Sequence, residues 1–569
     1  MARLKRQTGS LFAGVAALSL VLTSTSSDAT NVNPAARTFG VPAQRANVAA
    51  RRQAALRPHA FYVVSPTTCN SDYSGSNGSD YFVGVDDSSQ FNYALNLDSA
   101  VLGGQHNEAC GYYSGIGAGG NNVVGSNGSL TDAFIGAGSE NAITGSFTFL
   151  GSGIENEVTA DHAFLGAGSY GTAEGNGSFV GAGGAEYGSV GNPAAGGGNI
   201  AAGTDSFIGA GDLNEISTAG NGSFIGGGGY EEASNIAATL VNNISSFDSF
   251  IGAGDDNTVS EYQSFIGAGS TNNISGRLAF IGTGEGNTVS AAGGFVGAGG
   301  TLTGGNHDLG RDAFIGSGDQ NTINLNSSNS FIGGGKQNTI ASSEPYATIG
   351  GGDGNDAGGE YASILGGLDN SATGEYATVA GGWSDTAAGA SSFAAGYNAD
   401  AAHNGSFVWS DYTSGSATIK DTAANQFVVR ASGGLYLYSN EAATSGEELT
   451  PGSGTWASLS DRNAKTDIVP LDDASILAKV AALPIDRWSY KSEKGVRHVG
   501  PMAQDFYAAF GTGIDDRHIT AIDEDGVALA SIKALHRQVG QLRSNYAALA
   551  AKNAILERRL DQLAARMPR

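Results

Sequence analysis

Ser460 and Lys465, five residues apart, are the pair in this chain whose types could do covalent chemistry. A serine hydroxyl attacks a carbonyl only when a base takes its proton. A lysine amine can be that base when burial or a nearby cation keeps it neutral near pH 7. Attack on the preceding carbonyl, that of Leu459, would turn the Leu459–Ser460 amide into an ester that water can open. Direct activation of water by the same pair would give the same cut, and the residues do not choose between the routes. Taken alone, a serine and a lysine at this spacing are far more often a solvated pair than a dyad.

The other reactive side chains are few. Cys69 and Cys110 are the only cysteines. They are either a disulfide closing a long loop ahead of the repeats or two free thiols. Two thiols supply too few ligands for a metal site, and no histidine cluster adds to them. Gly166-Ala-Gly-Ser-Tyr-Gly171 matches a dinucleotide fingerprint but lacks a surrounding βαβ unit. Gly351-Gly-Asp-Gly-Asn-Asp356 lacks the tandem copies of a calcium-binding nonapeptide, and Lys336 after two glycines is not followed by Ser or Thr. We therefore expect no metal and no cofactor. Pairs of acids cannot be placed in space from sequence, so a glycan-cleaving site upstream stays open.

Ser460 lies where the composition changes. Upstream lie most of the chain's 89 glycines, and the only cations between residues 58 and 459 are Arg277, Arg311, Lys336, Lys420 and Arg430. A net charge of −25 speaks against phosphate-mediated binding to nucleic acid. A hydrophobic fraction of 40% is too high for a disordered chain of this acidity. Phenylalanines recur every fifteen residues, at Phe134, Phe149, Phe164 and Phe179 and again at Phe250, Phe265, Phe280 and Phe295. Phe207, Phe224, Phe314 and Phe331 continue the series with looser spacing. Each is followed by Ile, Leu or Val and then by glycine, and Ile349, Leu365 and Ala380 carry the pattern on without the aromatic. Such self-similarity means a solenoid, and the glycine content excludes a helical one. Fifteen residues hold two short strands and two turns, stacked as parallel β-coils.

Phe250 and Ile251 are adjacent, so they face opposite ways, one inside the coil and one outside. The sequence does not say which is inside. Either choice leaves a long apolar stripe on a single chain. A homotrimer would bury it; a single solenoid with a covered flank is the alternative. Downstream, Ile532, Leu535, Val539, Leu542, Tyr546, Leu549, Leu556, Leu560, Leu563 and Met567 alternate at three and four, with Asn553 at one core position. That spacing predicts a coiled coil whose register Asn553 fixes, although it does not separate dimer from trimer.

The expected organisation is a signal peptide over 1–29, from Arg3, Lys5 and Arg6, the apolar run Leu11 to Leu22 and small residues up to Ala29. Then follow a basic flexible leader (30–57), a β cap (58–98), β-roll repeats (99–400), a β neck (401–459), a small α+β domain (460–530) and the coiled coil (531–567). No span would cross a membrane once the signal is removed.

Two resemblances complete the reading. The repeats, such as Tyr361-Ala-Ser-Ile-Leu-Gly-Gly and Tyr376-Ala-Thr-Val-Ala-Gly-Gly-Trp383, resemble the left-handed β-roll heads of trimeric autotransporter adhesins, with a longer unit and without that family's membrane anchor. The run Trp456-Ala-Ser-Leu-Ser460-Asp-Arg-Asn-Ala-Lys465, followed by His498-Val-Gly-Pro-Met-Ala-Gln504 and Asp523-Glu-Asp-Gly-Val-Ala-Leu529, closely resembles the intramolecular chaperone auto-processing domain of phage endosialidase tailspikes, serine-peptidase family seventy-four. This second resemblance implies a module that trimerises, templates the fibre upstream and cuts itself off before the serine. It makes Ser460 the cleavage-site serine, Lys465 the dyad lysine and His498 a supporting residue. The expectation is a mainly β, exported, adhesin-like trimeric fibre with a surface or glycan ligand that the sequence does not name. As an enzyme it would be at most a single-turnover self-cleaving peptidase. The alternatives are a glycan hydrolase carried on the fibre, or a stalk that is never cut.

Overall fold

The computed structural model describes residues 98–567 apart from 126–129, 185–197, 232–238, 302–303 and 414–416, together with residues 81–82, 92–94 and 96. The expected signal peptide, the leader, Cys69 and most of the cap lie outside the described residues. Cys110 is buried and disulfide-bonded.

The chain is mainly β and winds as a parallel solenoid, with 21 strands in one ladder and 20 in the other among the described residues. Most of these strands are two residues long, such as Phe280–Ile281 and Thr288–Val289. Neighbouring coils keep strict register, Phe250 beside Phe265 and Phe265 beside Phe280. A two-residue strand points one side chain in and one out. The inward residues are Ile251, Ile266 and Ile281 on one wall and Val259, Ile274 and Val289 on the other, all fully buried. Compact, β-branched side chains with few rotamers fill this narrow interior. The larger phenylalanine takes the outside and stacks on its own kind, with ring centroids 4.7 Å apart for Phe250–Phe265 and 5.0 Å for Phe265–Phe280. Such offset stacking adds to simple burial.

Asparagine holds the coils together from within. Asn257, Asn272 and Asn287 are fully buried, one per coil. The Asn272 Nδ2 donates to Asn257 Oδ1 at 2.9 Å and to the Gly284 carbonyl at 2.8 Å. The pattern runs from Asn92 to Asn370, with Gly171 as one break. The tight glycine next to the Phe–Ile pair is needed for approach rather than conformation: a Cβ on Gly267 would lie 2.3 Å from the Gly282 carbonyl oxygen. The corners turn through left-handed backbone, often without glycine, as at Asp256 (φ 57°), Gln263 (φ 54°) and Leu278 (φ 56°).

Spacing placed the end of the repeats at residue 400, but the ladder continues through Phe407 and Phe427, which pair with and stack beyond Phe393. The steps there are 14 and 20 residues, which hid these coils from a period of fifteen. Arg430 closes the end. Its Nε donates to Asp411 Oδ1 at 2.8 Å, while the other Asp411 oxygen accepts from Ser432. An antiparallel sheet follows, β1 (Leu435–Tyr438), β2 (Gly446–Leu449) and β3 (Ala457–Ser458).

The remainder is small and mixed. It comprises α1 (Asp473–Ala482), the hairpin of β4 (Asp486–Trp488) and β5 (His498–Gly500), α2 (Ala503–Phe510) and the long α3 (Ala521–Ala564). Helix α3 starts about ten residues before the heptads, capped by the Thr520 side chain, and carries Gly526 in its body. Its buried residues are Ala530, Ser531 and Ala534, in the part that packs on α1. The buried Asp473 of α1 pairs there with Arg537 and, at 3.3 Å, with Lys533. Beyond this contact the heptad face has no cover: Leu542, Leu549, Asn553 and Leu560 are all exposed. Among the described residues no helix is long and apolar enough to cross a membrane.

Candidate active site

The site sits where the fibre-side sheet ends. Strand β3 pairs antiparallel with β2, Ser458 opposite Glu447 and Ala457 opposite Glu448. Two further bonds pin the strand's exit. The Leu459 N–H donates to the Gly446 carbonyl at 3.1 Å, and the Ser458 hydroxyl donates to Glu447 Oε1 at 2.6 Å. The peptide preceding Ser460 is therefore held from the upstream side by backbone and side chain.

Downstream, the chain turns back on itself. Asp461 caps a single 3₁₀ turn, Arg462–Ala464, by accepting from the Asn463 N–H at 2.9 Å. The Lys465 N–H closes the turn on the Arg462 carbonyl at 3.2 Å. The turn shortens the path between residues 460 and 465, so the Lys465 ammonium donates a hydrogen bond to the Ser460 hydroxyl. The two residues singled out by type and spacing are thus in direct contact. Both are exposed in the single chain. In the single chain the contact orients the Ser460 hydroxyl toward Lys465.

His498 stands apart from that pair. It lies on β5, its Nε2 is 3.1 Å from Glu493 Oε2, and its ring stacks on Trp488 at 4.8 Å. None of its hydrogen bonds reaches Ser460 or Lys465. Asn553 is far along α3 in sequence and belongs to the uncovered helix face. The residues that sequence reasoning missed are Asp461, Glu447 and Gly446. Asp461 left a signal, an acid directly before a short turn, which is how Asx turns begin. Glu447 left none, because its pairing with Ser458 depends on the register of β2 and β3.

The domain behind the turn is held by charge as well as packing. Burial would raise the Asp473 carboxyl, but the hydrogen bonds from Lys533 and Arg537 outweigh it and keep the group below its ordinary range. Among the described residues no group of three or more His, Cys, Asp or Glu could hold a metal ion.

No curated protein matches the chain. Residues 460–513 do match a family model, that of the chaperone of endosialidase, and the matched segment opens on Ser460 itself.

Proposed function

We propose that the protein is an exported, trimeric, adhesin-like fibre whose C-terminal domain brings three chains together, templates the solenoid and then leaves by cutting Leu459–Ser460. The observation that carries this reading is the Lys465–Ser460 hydrogen bond, two residues beyond the last strand of the fibre-side sheet and at the first residue of the chaperone match. Two uncovered apolar surfaces support the trimer: the Phe column on the solenoid and the heptad face of α3. Parallel coils are slow to nucleate and repeats invite register slips, so a removable template has a physical use.

The chemistry follows from the contact. Covering by neighbouring copies would desolvate Lys465 and favour its neutral amine. That amine takes the Ser460 hydroxyl proton as the oxygen bonds to the Leu459 carbonyl carbon. The Leu459–Ser460 carbon–nitrogen bond then breaks, and the proton passes to the departing nitrogen. Water next hydrolyses the ester, leaving a carboxylate on Leu459 and restoring the hydroxyl on a new N-terminal Ser460. His498 enters as a support of the domain's fold through Trp488 and Glu493. A Cys69–Cys110 disulfide would tie the chain ahead of the first coils.

The test is expression of wild type and Ser460→Ala, followed on denaturing gels and by native mass. The reading expects wild type to split into a trimeric fibre and a fragment of 110 residues (569 − 459), and Ser460→Ala to stay at full length as a trimer. A wild type that remains whole, or a Ser460→Ala that still releases the fragment, removes self-cleavage from the proposal.

A further inference from the structure

The asparagine ladder inside the solenoid ends in an acid. At a normal rung such as Asn355, Oδ1 accepts from the next rung's backbone N–H, while Nδ2 donates to Asn338 Oδ1 at 2.9 Å and to the Gly367 carbonyl at 3.1 Å. The rung after Asn370 is Asp385, fully buried. Its backbone N–H donates to Asn370 Oδ1 at 3.0 Å, and its own Oδ1 accepts from the Ala399 N–H at 2.8 Å, as an asparagine's would. Its Oδ2 is buried and has no hydrogen-bond partner.

That oxygen stands where the amide nitrogen stands in other rungs. A Cβ built on Gly382 would meet Asp385 Oδ2 at 2.3 Å, just as one on Gly367 would meet Asn370 Nδ2 at 2.4 Å. A donor suits this place: at the rung before, the amide nitrogen that stands there donates to the glycine carbonyl of the next coil, Asn370 Nδ2 to Gly382 at 3.1 Å. An ionised carboxylate brings only acceptors to it. A protonated one restores the donor.

We propose that Asp385 carries its proton in the folded ladder, donating toward the oxygens an asparagine rung would reach, and that the end of the ladder loosens when this proton leaves. Aspartate at this rung makes a pH-sensitive latch on the coils between Trp383 and Ala401. Burial pushes the carboxyl up to about 6, with the hydrogen bond from Ala399 and the dipole of the nearby Gly396 N–H drawing it partly back. No other charge faces it. The coil before presents Asn370 to it and the coil after presents Ala399. Among the nearest titratable groups, Asp369 sits at a left-handed corner, Asp400 lies at the outward position of its strand and pairs with Lys420 at 2.9 Å, and Tyr397 closes its strand beside Trp383.

The experiment uses the full chain and Asp385→Asn, which supplies the missing amide in a shape the ladder already accepts. Amide exchange at Ala399 is read in both proteins near about pH 5 and about pH 8, and the ratio of their protection factors is taken at each pH so that intrinsic exchange cancels. Because the folded carboxyl titrates near 6 and the unfolded one near about 4, the latch predicts that the ratio of variant to wild-type protection rises by up to about tenfold per pH unit between those two values and is level above, so that it is about tenfold larger near pH 8 than near pH 5. A ratio that does not change with pH, or a variant less protected near pH 8, overturns it. A second reading does not depend on comparing stabilities: the infrared band of a protonated carboxylic acid should be present in wild type near about pH 5 and weaker in the variant. An unchanged band overturns the proposal.

Discussion

Replacing Asn272 by alanine tests whether the internal ladder holds the solenoid. Four hydrogen bonds of the side chain disappear: from Nδ2 to Asn257 Oδ1 and to the Gly284 carbonyl, and into Oδ1 from the Asn287 N–H at 3.1 Å and Nδ2 at 3.0 Å. The neighbours are not equally stranded. Asn257 Oδ1 keeps the Asn272 N–H, the Gly284 carbonyl keeps the Ser270 N–H, and Asn287 Nδ2 keeps the Gly299 carbonyl. The Asn287 N–H loses the acceptor it has and is left buried. Losing one partner of a buried donor costs about 1–3 kcal/mol, and each hydrogen bond exchanged for water about 1 kcal/mol net. Adding the small void left by the amide, the local cost comes to roughly 3–5 kcal/mol. Asn273, the next residue, provides the control, because it points outward and its side chain makes no comparable bonds. Asn273→Ala should cost no more than about 0.5 kcal/mol. Amide exchange at Ile274 and Asn287 in the full chain reads both. Coils couple chiefly to their neighbours, so the lost protection should fade within a few coils of residue 272. Equal losses in the two variants would refute the ladder as the element that binds coil to coil.

Two further outcomes follow from buried acids. Asp308 takes an inward position between Val289 and Ile323, its oxygens accepting from the Gly310 and Phe295 N–H groups, and burial pushes its carboxyl up to about 7. Because that value lies above the unfolded one of about 3.9, the folded state holds the proton longer. Stability is greatest below about pH 4, falls as pH rises toward 7 and is level beyond, by at most about 4 kcal/mol. Exchange at Gly310 should record this fall, and Asp308→Asn should flatten it. In the terminal domain, Asp473→Ala removes the partner of Lys533 and Arg537 and should free α1 from α3. The amides of α1 should then lose protection while the solenoid keeps its own; unchanged protection in α1 would assign the contact to Ala530 and Ala534 alone.

Much of the fold was legible because the repeat speaks twice. The fifteen-residue phenylalanine period gave the coil, and the Phe–Ile adjacency gave one inward and one outward residue. Which of the two went inside was not legible: it depends on the width of an interior only two strands wide, which admits Ile251 and excludes Phe250. The asparagines at 257, 272 and 287 recur at the same period, but asparagine is common in turns and the spacing alone assigns them no role. Their role needs the stacked register to be seen. The repeats past residue 400 were lost to irregular steps, although Phe407 and Phe427 kept the column. At the candidate site, residue types pointed to Ser460 and Lys465, and the Asp461-capped turn is what joins them. Glu447 and Gly446 were hidden because strand pairing brings them to Ser458 and Leu459 from more than ten residues away.

The hydrogen bonds between coils run along the solenoid axis, and this sets how the protein answers a mechanical load. A pull along the axis falls on the coil-to-coil interfaces in series, so the weakest yields first while the rest keep their structure. Each coil that peels away releases fifteen residues at the regular repeat, such as Phe250 to Phe265. At roughly 3.4 Å per extended residue, less the ~4.8 Å the coil occupied, the gain is about 45 Å per event. A shaft built this way lengthens under tension in steps set by the length of each coil and rewinds on a template of its own neighbouring coils when the tension falls.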